Sequence, residues 1–248
     1  MALKFRQGIV AKKRIWAEGL FTLHVDVEGV QPFDPGQFLQ VGITLGEKHV
    51  HRPYSVASPF GKTLEFYIVL VDDGELTPHL WKMQEGDPVD VAERAAGSFT
   101  LKKTPDAKNL WLVATGTGLA PYVAMLRTDE PWERYEKIVV VHGARLHSDL
   151  GYTEEFAEIK SKFGERFSYV PTLTRDDAEG TLKGRIPQLL ESGDLERHAD
   201  CHLNAESSAV MLCGNPAMLD DMEAKLGERQ MVKHRSKAPG HIVLERYW

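Results

Sequence analysis

Along the first hundred positions, apolar residues recur in short alternating runs. The stretches 21–27, 37–45, 49–58 and 64–71 each read as a strand, and Pro32, Pro35-Gly36, Pro59, Gly61 and Gly74 supply the breaks between them. A helical piece over 75–83 interrupts the series before strands resume at 89–91 and 98–101. Short strands at this spacing predict a barrel or a sandwich.

The rhythm changes after the polar stretch 102–109. Runs rich in Val, Leu and Ile at 110–114, 138–142, 167–173 and 210–213 alternate with helical segments over 119–127, 153–163, 186–192 and 216–226. The chain closes on a last apolar run within 241–248. Continuous apolar strands alternating with helices are the pattern of a parallel sheet covered on both faces. Two domains follow, predicted over 1–104 and 105–248.

Composition agrees with this division and narrows the function. A length of 248 residues accommodates two ordinary domains, and 42% hydrophobic with 27% charged residues is a globular balance. The net charge of −6 opposes a general nucleic-acid binder. No stretch reaches the roughly 20 apolar residues of a membrane span, and the first residues carry no signal-type apolar run. Two cysteines, Cys201 and Cys213, are too few for a disulfide framework, a structural zinc site or an iron–sulfur cluster held by this chain alone. A cytoplasmic monomer without a metal site, a membrane partner or a nucleic-acid partner is expected.

Candidate chemistry lies mainly where strands hand over to helices. In Thr115-Gly116-Thr117-Gly118-Leu119-Ala120-Pro121, two glycines allow a tight turn and close approach to a ligand at a helix start, where free N–H groups favour an anion. Cys213-Gly214-Asn215-Pro216 repeats the arrangement after a later strand. A ligand-free turn is the alternative for either loop alone. Two such loops at strand ends make a dinucleotide crevice the stronger reading. Arg145, Arg175 and Arg185 flank strands of the same half, and a cluster of guanidinium forks there suits a 2′-phosphate. In the strand half, Arg52-Pro53-Tyr54-Ser55 combines a cation, a ring and a hydroxyl, although from chemistry alone an ordinary strand with Tyr54 packed in the barrel is the favoured reading. His49 and His51 point to one face of a strand, with no carboxylate or third histidine positioned to finish a metal site. No GxSxG elbow, HExxH motif or P-loop lysine occurs, so hydrolase readings have little support.

Taken together, these motifs, with Phe66-Tyr67-Ile68-Val69, Gly74-Glu75-Leu76-Thr77-Pro78 and the terminal pair Tyr247-Trp248, resemble the bacterial ferredoxin–NADP+ reductases, also called flavodoxin reductases. Order and spacing match over essentially the whole chain. The resemblance implies an antiparallel FAD-binding β-barrel followed by a Rossmann-like parallel-sheet domain that binds NADP(H). It implies that Arg52, within the motif that includes Pro53, contacts the FAD diphosphate, that Tyr54 lies against the isoalloxazine and that Ser55 bonds near flavin N5. Tyr67, Ile68 and Val69 would line the flavin, while Gly74, Leu76 and Thr77 would meet the diphosphate. Thr117 would sit between the two cofactors. Ala144 and Arg145, with Arg175 and Arg185, would take the 2′-phosphate end of NADP(H), and Gly214, Asn215, Pro216 and Met218 the nicotinamide side. Tyr247 would cover the flavin ring and Trp248 would reach the adenine of FAD, which makes Ser55 and Tyr247 the expected catalytic pair.

The implied reaction moves a hydride between nicotinamide C4 and flavin N5 and single electrons to or from a separate ferredoxin or flavodoxin. Basic residues at Lys12-Lys13-Arg14 and within 233–237 would dock that acidic carrier. A flavin reductase component of an oxygenase system and a non-catalytic nucleotide-binding module are the alternatives.

Overall fold

The computed structural model describes residues 3–246, so the expected contributions of Tyr247 and Trp248 lie outside the described residues. The chain forms two units, one of residues 1–100 with 120–127, the other of 101–119 with 128–248.

The first unit holds β1 (Phe5–Ala17), β2 (Leu20–Asp26), β3 (Phe38–Leu45), β4 (Lys48–Ser55), β5 (Thr63–Val69), α1 (Thr77–Lys82) and β6 (Pro88–Ala92). The strands form a six-stranded antiparallel sheet in the order β4-β3-β6-β1-β2-β5. An antiparallel bridge from Val56 to Phe66 joins the end of β4 to β5 and curls the sheet toward closure as a barrel. Alternate residues Phe21, Leu23, Val25, Leu39, Val41, Leu64, Phe66 and Ile68 fill its interior. Pro53 lacks an N–H and is tolerated because β4 is a terminal strand of the order.

Strand β1 is absent from the sequence-based expectation. Its alternation is hidden by the run Lys12-Lys13-Arg14, and most of its residues are partly or fully exposed. The tertiary structure gives Lys13 an internal role: its ammonium bonds the carbonyls of Trp81 and Met83 at the end of α1, 4.7 Å from the Trp81 ring. Burial pulls the Lys13 pKa down, and this residue is withdrawn from any docking patch.

The strand expected at 98–101 does not form. Ala96 makes a single bridge to Phe38, Gly97 turns with φ +94°, and a 3₁₀ turn follows at Leu101–Lys103.

Helix α2 (Ala120–Leu126) clusters with the barrel, although the sequence rhythm assigns it to the second domain. All its residues are buried. Tyr122 lies against Phe99 with ring centroids 6.0 Å apart, and Arg127 bonds Glu65 at 2.7 Å and the Ala57 carbonyl at 3.2 Å. Gly36, with φ +101°, is required here because a Cβ would fall 1.9 Å from the Phe99 carbonyl oxygen.

The second unit contains β7 (Asn109–Thr115), α3 (Glu130–Arg134), β8 (Lys137–Ala144), α4 (Thr153–Phe163), β9 (Phe167–Leu173), β10 (Leu182–Lys183), α5 (Ile186–Glu191), α6 (Asp194–Ala199), β11 (Ser208–Gly214), α7 (Pro216–Glu228) and β12 (Ile242–Arg246). Its six-stranded parallel sheet has the order β10-β9-β8-β7-β11-β12. Val113, Val139, Val141, Val170 and Leu212 project to one face and pack against Leu189, Leu190, Leu195, Leu219 and Met222 of α5, α6 and α7. On the other face Phe156 of α4 stacks near Phe167 and Tyr169. The order runs outward from β7 through β8 to β10 and then reverses to β11, placing a switch point between β7 and β11.

Candidate functional site

In the second unit, the two glycine loops meet at this switch point. The Thr115 hydroxyl accepts the Asn215 N–H at 2.8 Å, tying the end of β7 to the start of α7. The approach is close enough to require glycine on both sides: a Cβ at Gly118 would lie 2.7 Å from the Cys213 carbonyl oxygen, and one at Gly214 would lie 2.3 Å from Thr115 Oγ1. Gly214 also adopts φ +127°, which other residues avoid. The Asn215 side chain caps α7, accepting from Ala217 N at 2.9 Å and Met218 N at 3.4 Å. Met218 itself turns its side chain into the core, so of the expected nicotinamide-side residues it can offer only main chain.

Gly116 differs from its neighbours. It is exposed, has φ +53°, and nothing lies within 4 Å of where its Cβ would be. This leaves a main-chain surface open to a ligand at the start of the β7–α2 turn. Behind it the buried His142 bonds the Gly116 carbonyl at 3.2 Å and Tyr169 Oη at 3.2 Å. Burial pulls the His142 pKa down to about 4, leaving the ring neutral.

Arg145, Arg175 and Arg185 gather at the carboxyl ends of β8, β9 and the short β10. All three are exposed, and among the described residues none of their guanidiniums pairs with a carboxylate. Their main chains are linked, since Arg175 N donates to Arg145 O at 2.9 Å. Asp176 braces the same corner by accepting the N–H of His147 at 3.1 Å and of Asp177 at 2.9 Å, which holds its carboxyl below the usual range. The half-buried Ala144 precedes Arg145 at the end of β8.

In the first unit, β4 presents the Arg52–Ser55 motif with Arg52 and Pro53 exposed, Tyr54 half-buried and Ser55 buried. Burial pushes the Tyr54 phenol up to about 12. Arg52 donates to Glu75 at 3.1 Å and to the carbonyl of His51 at 2.7 Å. Hydrogen bonds from Lys48 first, and then from Arg52, hold the Glu75 carboxyl below its ordinary range. Glu75 belongs to the loop that opens α1. In that loop the Thr77 hydroxyl accepts Val71 N at 2.9 Å and donates to Val71 O at 3.0 Å, and Gly74 N donates to Val71 O at 2.9 Å. The hydroxyl and the Gly74 amide therefore shape the turn. The N–H groups of Leu76 and Thr77 find no acceptor among the described residues and are the donors left for an anion.

Side-chain direction also sorts the remaining expected residues. Ile68 and Leu76 point into the barrel core and can serve a ligand only through main chain. Tyr67 and Val69 lie on the opposite face of β5, Tyr67 buried beside Trp16 at 6.3 Å and Val69 exposed. Thr117 is half-exposed in the β7–α2 turn. The fold brings a carboxylate to the histidine pair after all, because Asp90 of β6 bonds His49 at 3.1 Å, while His51 bonds Gln40 at 3.0 Å.

Sequence reasoning did not single out Glu75, His142 or Tyr169 in these roles. The one available signal was for His142, a polar residue closing the apolar run of β8.

A switch point flanked by two tied glycine loops, with exposed guanidiniums at the neighbouring strand ends, is the geometry of a dinucleotide-binding α/β unit. Residues 112–224 match the family described as the oxidoreductase NAD-binding domain. The chain is 42% identical over 243 residues to the flavodoxin/ferredoxin–NADP reductase of Escherichia coli, covering 97% of this chain and 98% of that one. It is 32% identical over 241 residues to the ferredoxin–NADP reductase of Azotobacter vinelandii, covering 93% of each. Among solved structures, a ferredoxin NADP+ reductase from Neisseria gonorrhoeae with bound FAD and NADP superposes with a TM-score of 0.92 at 30% identity, over 98% of both chains. The chain belongs to the flavodoxin/ferredoxin–NADP reductase family.

Proposed function

We propose that the protein is an FAD-dependent reductase that moves electrons between NADP(H) and a separate ferredoxin or flavodoxin. The observation that carries this reading is the unpaired arginine corner beside the tied glycine loops. A dinucleotide ending in a dianionic 2′-phosphate supplies the counter-charge those guanidiniums lack.

The residues present fit both groups. For FAD, the open N–H groups of Leu76 and Thr77 and the exchangeable surface ion pair of Arg52 match a diphosphate. For NADP(H), the open Gly116 turn and the loop at Gly214, Asn215 and Pro216 match a dinucleotide crossing the switch point. Bound flavin supplies a hydride-accepting ring nitrogen and a means of passing electrons on singly, chemistry no side chain here possesses. The protein's own part is placement. Arg52 holds negative charge at the diphosphate, and Tyr54 offers a ring face to the isoalloxazine. Ser55 offers a hydroxyl to the reacting nitrogen, while Tyr67 and Val69 bound the flavin beside the main chain of Ile68. Arg145, Arg175 and Arg185, next to Ala144, select the phosphorylated nucleotide, and Gly214, Asn215, Pro216 and the Met218 main chain support the nicotinamide end.

The same reading makes the protein a cytoplasmic monomer. Two free cysteines, one buried and one half-buried, are in keeping with a reducing compartment. Among the described residues no helix is long and apolar enough to cross a membrane.

The test is the visible spectrum of the pure protein before and after anaerobic NADPH, followed by addition of oxidised ferredoxin or flavodoxin. The expected result is a flavin spectrum that NADPH bleaches and the carrier restores. A colourless protein, or a flavin that free flavins reoxidise but neither carrier does, would overturn it.

A further inference from the structure

Strand β8 is apolar from Ile138 to Val141 and then buries an imidazole completely at His142. A polar ring in a parallel sheet is costly unless both nitrogens find partners. Here both do, with Gly116 O on Nε2 and Tyr169 Oη on Nδ1, each at 3.2 Å. A carbonyl only accepts, so Nε2 carries the proton, and the Tyr169 hydroxyl donates to Nδ1. Tyr169 stands opposite Val140 in the β8–β9 pair, on the face that His142 shares, and is itself held by Phe156 at 4.6 Å between ring centroids.

The consequence falls on the next peptide. None of the peptide bonds is cis among the described residues, and a trans peptide directs its C=O and N–H oppositely. With Gly116 O drawn toward the buried ring, the Thr117 N–H is directed away from it, and no acceptor among the described residues takes that N–H. Gly116 opens a 3₁₀ turn over Gly116–Leu119, and glycine is the residue whose backbone resists such a peptide flip least. A flip would present a carbonyl oxygen to an anionic ligand in place of a donor.

We propose that His142 is a positioning residue for NADP(H). Its Nε2–H holds the Gly116 carbonyl inward so that the Thr117 N–H faces the phosphate-bearing dinucleotide, and Tyr169 selects the tautomer that makes this possible. The inference rests on the NADP(H) reading above and adds the device that orients the first glycine loop.

The experiment uses the FAD-loaded enzyme, titrated with NADP+ by flavin difference spectra and assayed with NADPH and ferricyanide. His142→Leu removes the donor at similar size, and His142→Gln returns an N–H near the Nε2 position. Loss of one neutral hydrogen bond predicts a rise of about fivefold in the NADP+ Kd and the NADPH KM for His142→Leu, with kcat within about twofold and recovery in His142→Gln. Tyr169→Phe serves if His142→Leu does not fold. Long-range 1H–15N spectra should then show His142 passing from the Nε2–H form to a mixture of tautomers, with weaker NADP+ binding. Equal Kd and KM in all variants alongside a lowered thermal midpoint, or an Nδ1–H tautomer in the wild type, would overturn the proposal. Failure of the wild type to bind NADP+ would instead overturn the functional reading on which it stands.

Discussion

Replacing Gly214 by alanine tests whether the two glycine loops are held together as described. The new Cβ would lie 2.3 Å from Thr115 Oγ1, 2.9 Å from Thr115 O and 3.0 Å from Thr115 N, so two of three contacts are with backbone that cannot swing aside. Its φ of +127° is open essentially to glycine alone, a strain of about 1–3 kcal/mol for another residue. Overpacking adds about 1–3 kcal/mol. Displacing Thr115 also breaks the 2.8 Å bond from Asn215 N, a further loss of about 1 kcal/mol. The sum is roughly 3–7 kcal/mol, and at about 2–4 °C per kcal/mol for a chain of this size the midpoint should fall by about 6 °C or more. The control is Gly116→Ala, whose φ of +53° is merely disfavoured and whose Cβ meets nothing within 4 Å. It should cost only about 1–2 kcal/mol of stability while weakening NADP+ binding, because the methyl occupies the open face of the turn. Thermal unfolding and NADP+ titration separate the two effects. A Gly214→Ala midpoint within about 3 °C of wild type, or a Gly116→Ala loss as large, would refute the reasoning.

Three further outcomes are expected. Alanine at Arg145, Arg175 or Arg185 should raise the KM for NADPH about tenfold or more per residue, the worth of a charge-assisted hydrogen bond, and leave NADH nearly untouched; equal losses for both nucleotides would remove the 2′-phosphate assignment. His142, with its folded-state pKa pulled down to about 4 against an ordinary value near 6.5, binds fewer protons folded than unfolded. Stability should therefore be at its full value above the ordinary pKa and decline as pH falls from there toward 4, by up to about 3 kcal/mol at 1.4 kcal/mol per unit, and His142→Gln should flatten that part of a melting-temperature profile. Charge reversal of the exposed Arg235 and Lys237 should slow ferredoxin reduction in a salt-dependent way with ferricyanide reduction intact; equal loss of both activities would exclude them from docking. Lys233 is the weaker choice, since it is already paired with Glu223 at 3.1 Å.

Much of the architecture was legible because local periodicity and burial coincide. The run at 110–114 is apolar throughout and those at 138–142 and 167–173 are largely so because both sheet faces are covered, and the structure has strands at all of them. Where local pattern and environment part, the reading fails. In β1 the charged run hides a strand because Lys13 finds carbonyl partners that only the folded chain supplies. The two-residue β10 and the short helices α3 and α6 are too brief for any period to register.

For the site, residue type was informative and direction was not. Glycine, arginine and the Arg52–Ser55 motif announce phosphate and ring chemistry wherever they stand, because backbone freedom and guanidinium geometry are properties of the residues themselves. Whether a side chain faces a ligand or a core depends on strand register and twist, set by pairing between residues far apart in sequence. That is why Ile68, Leu76 and Met218 offer main chain only, and why α2 clusters with the barrel. It is also why Asp90 arrives beside His49. The sequence by itself determined two fold types, the family and the chemical vocabulary of the site. Only the tertiary structure decided which Arg52 partner it finds in Glu75, which hydroxyl ties the two loops, and that a buried histidine stands behind Gly116, since each depends on non-local contacts that no local pattern encodes.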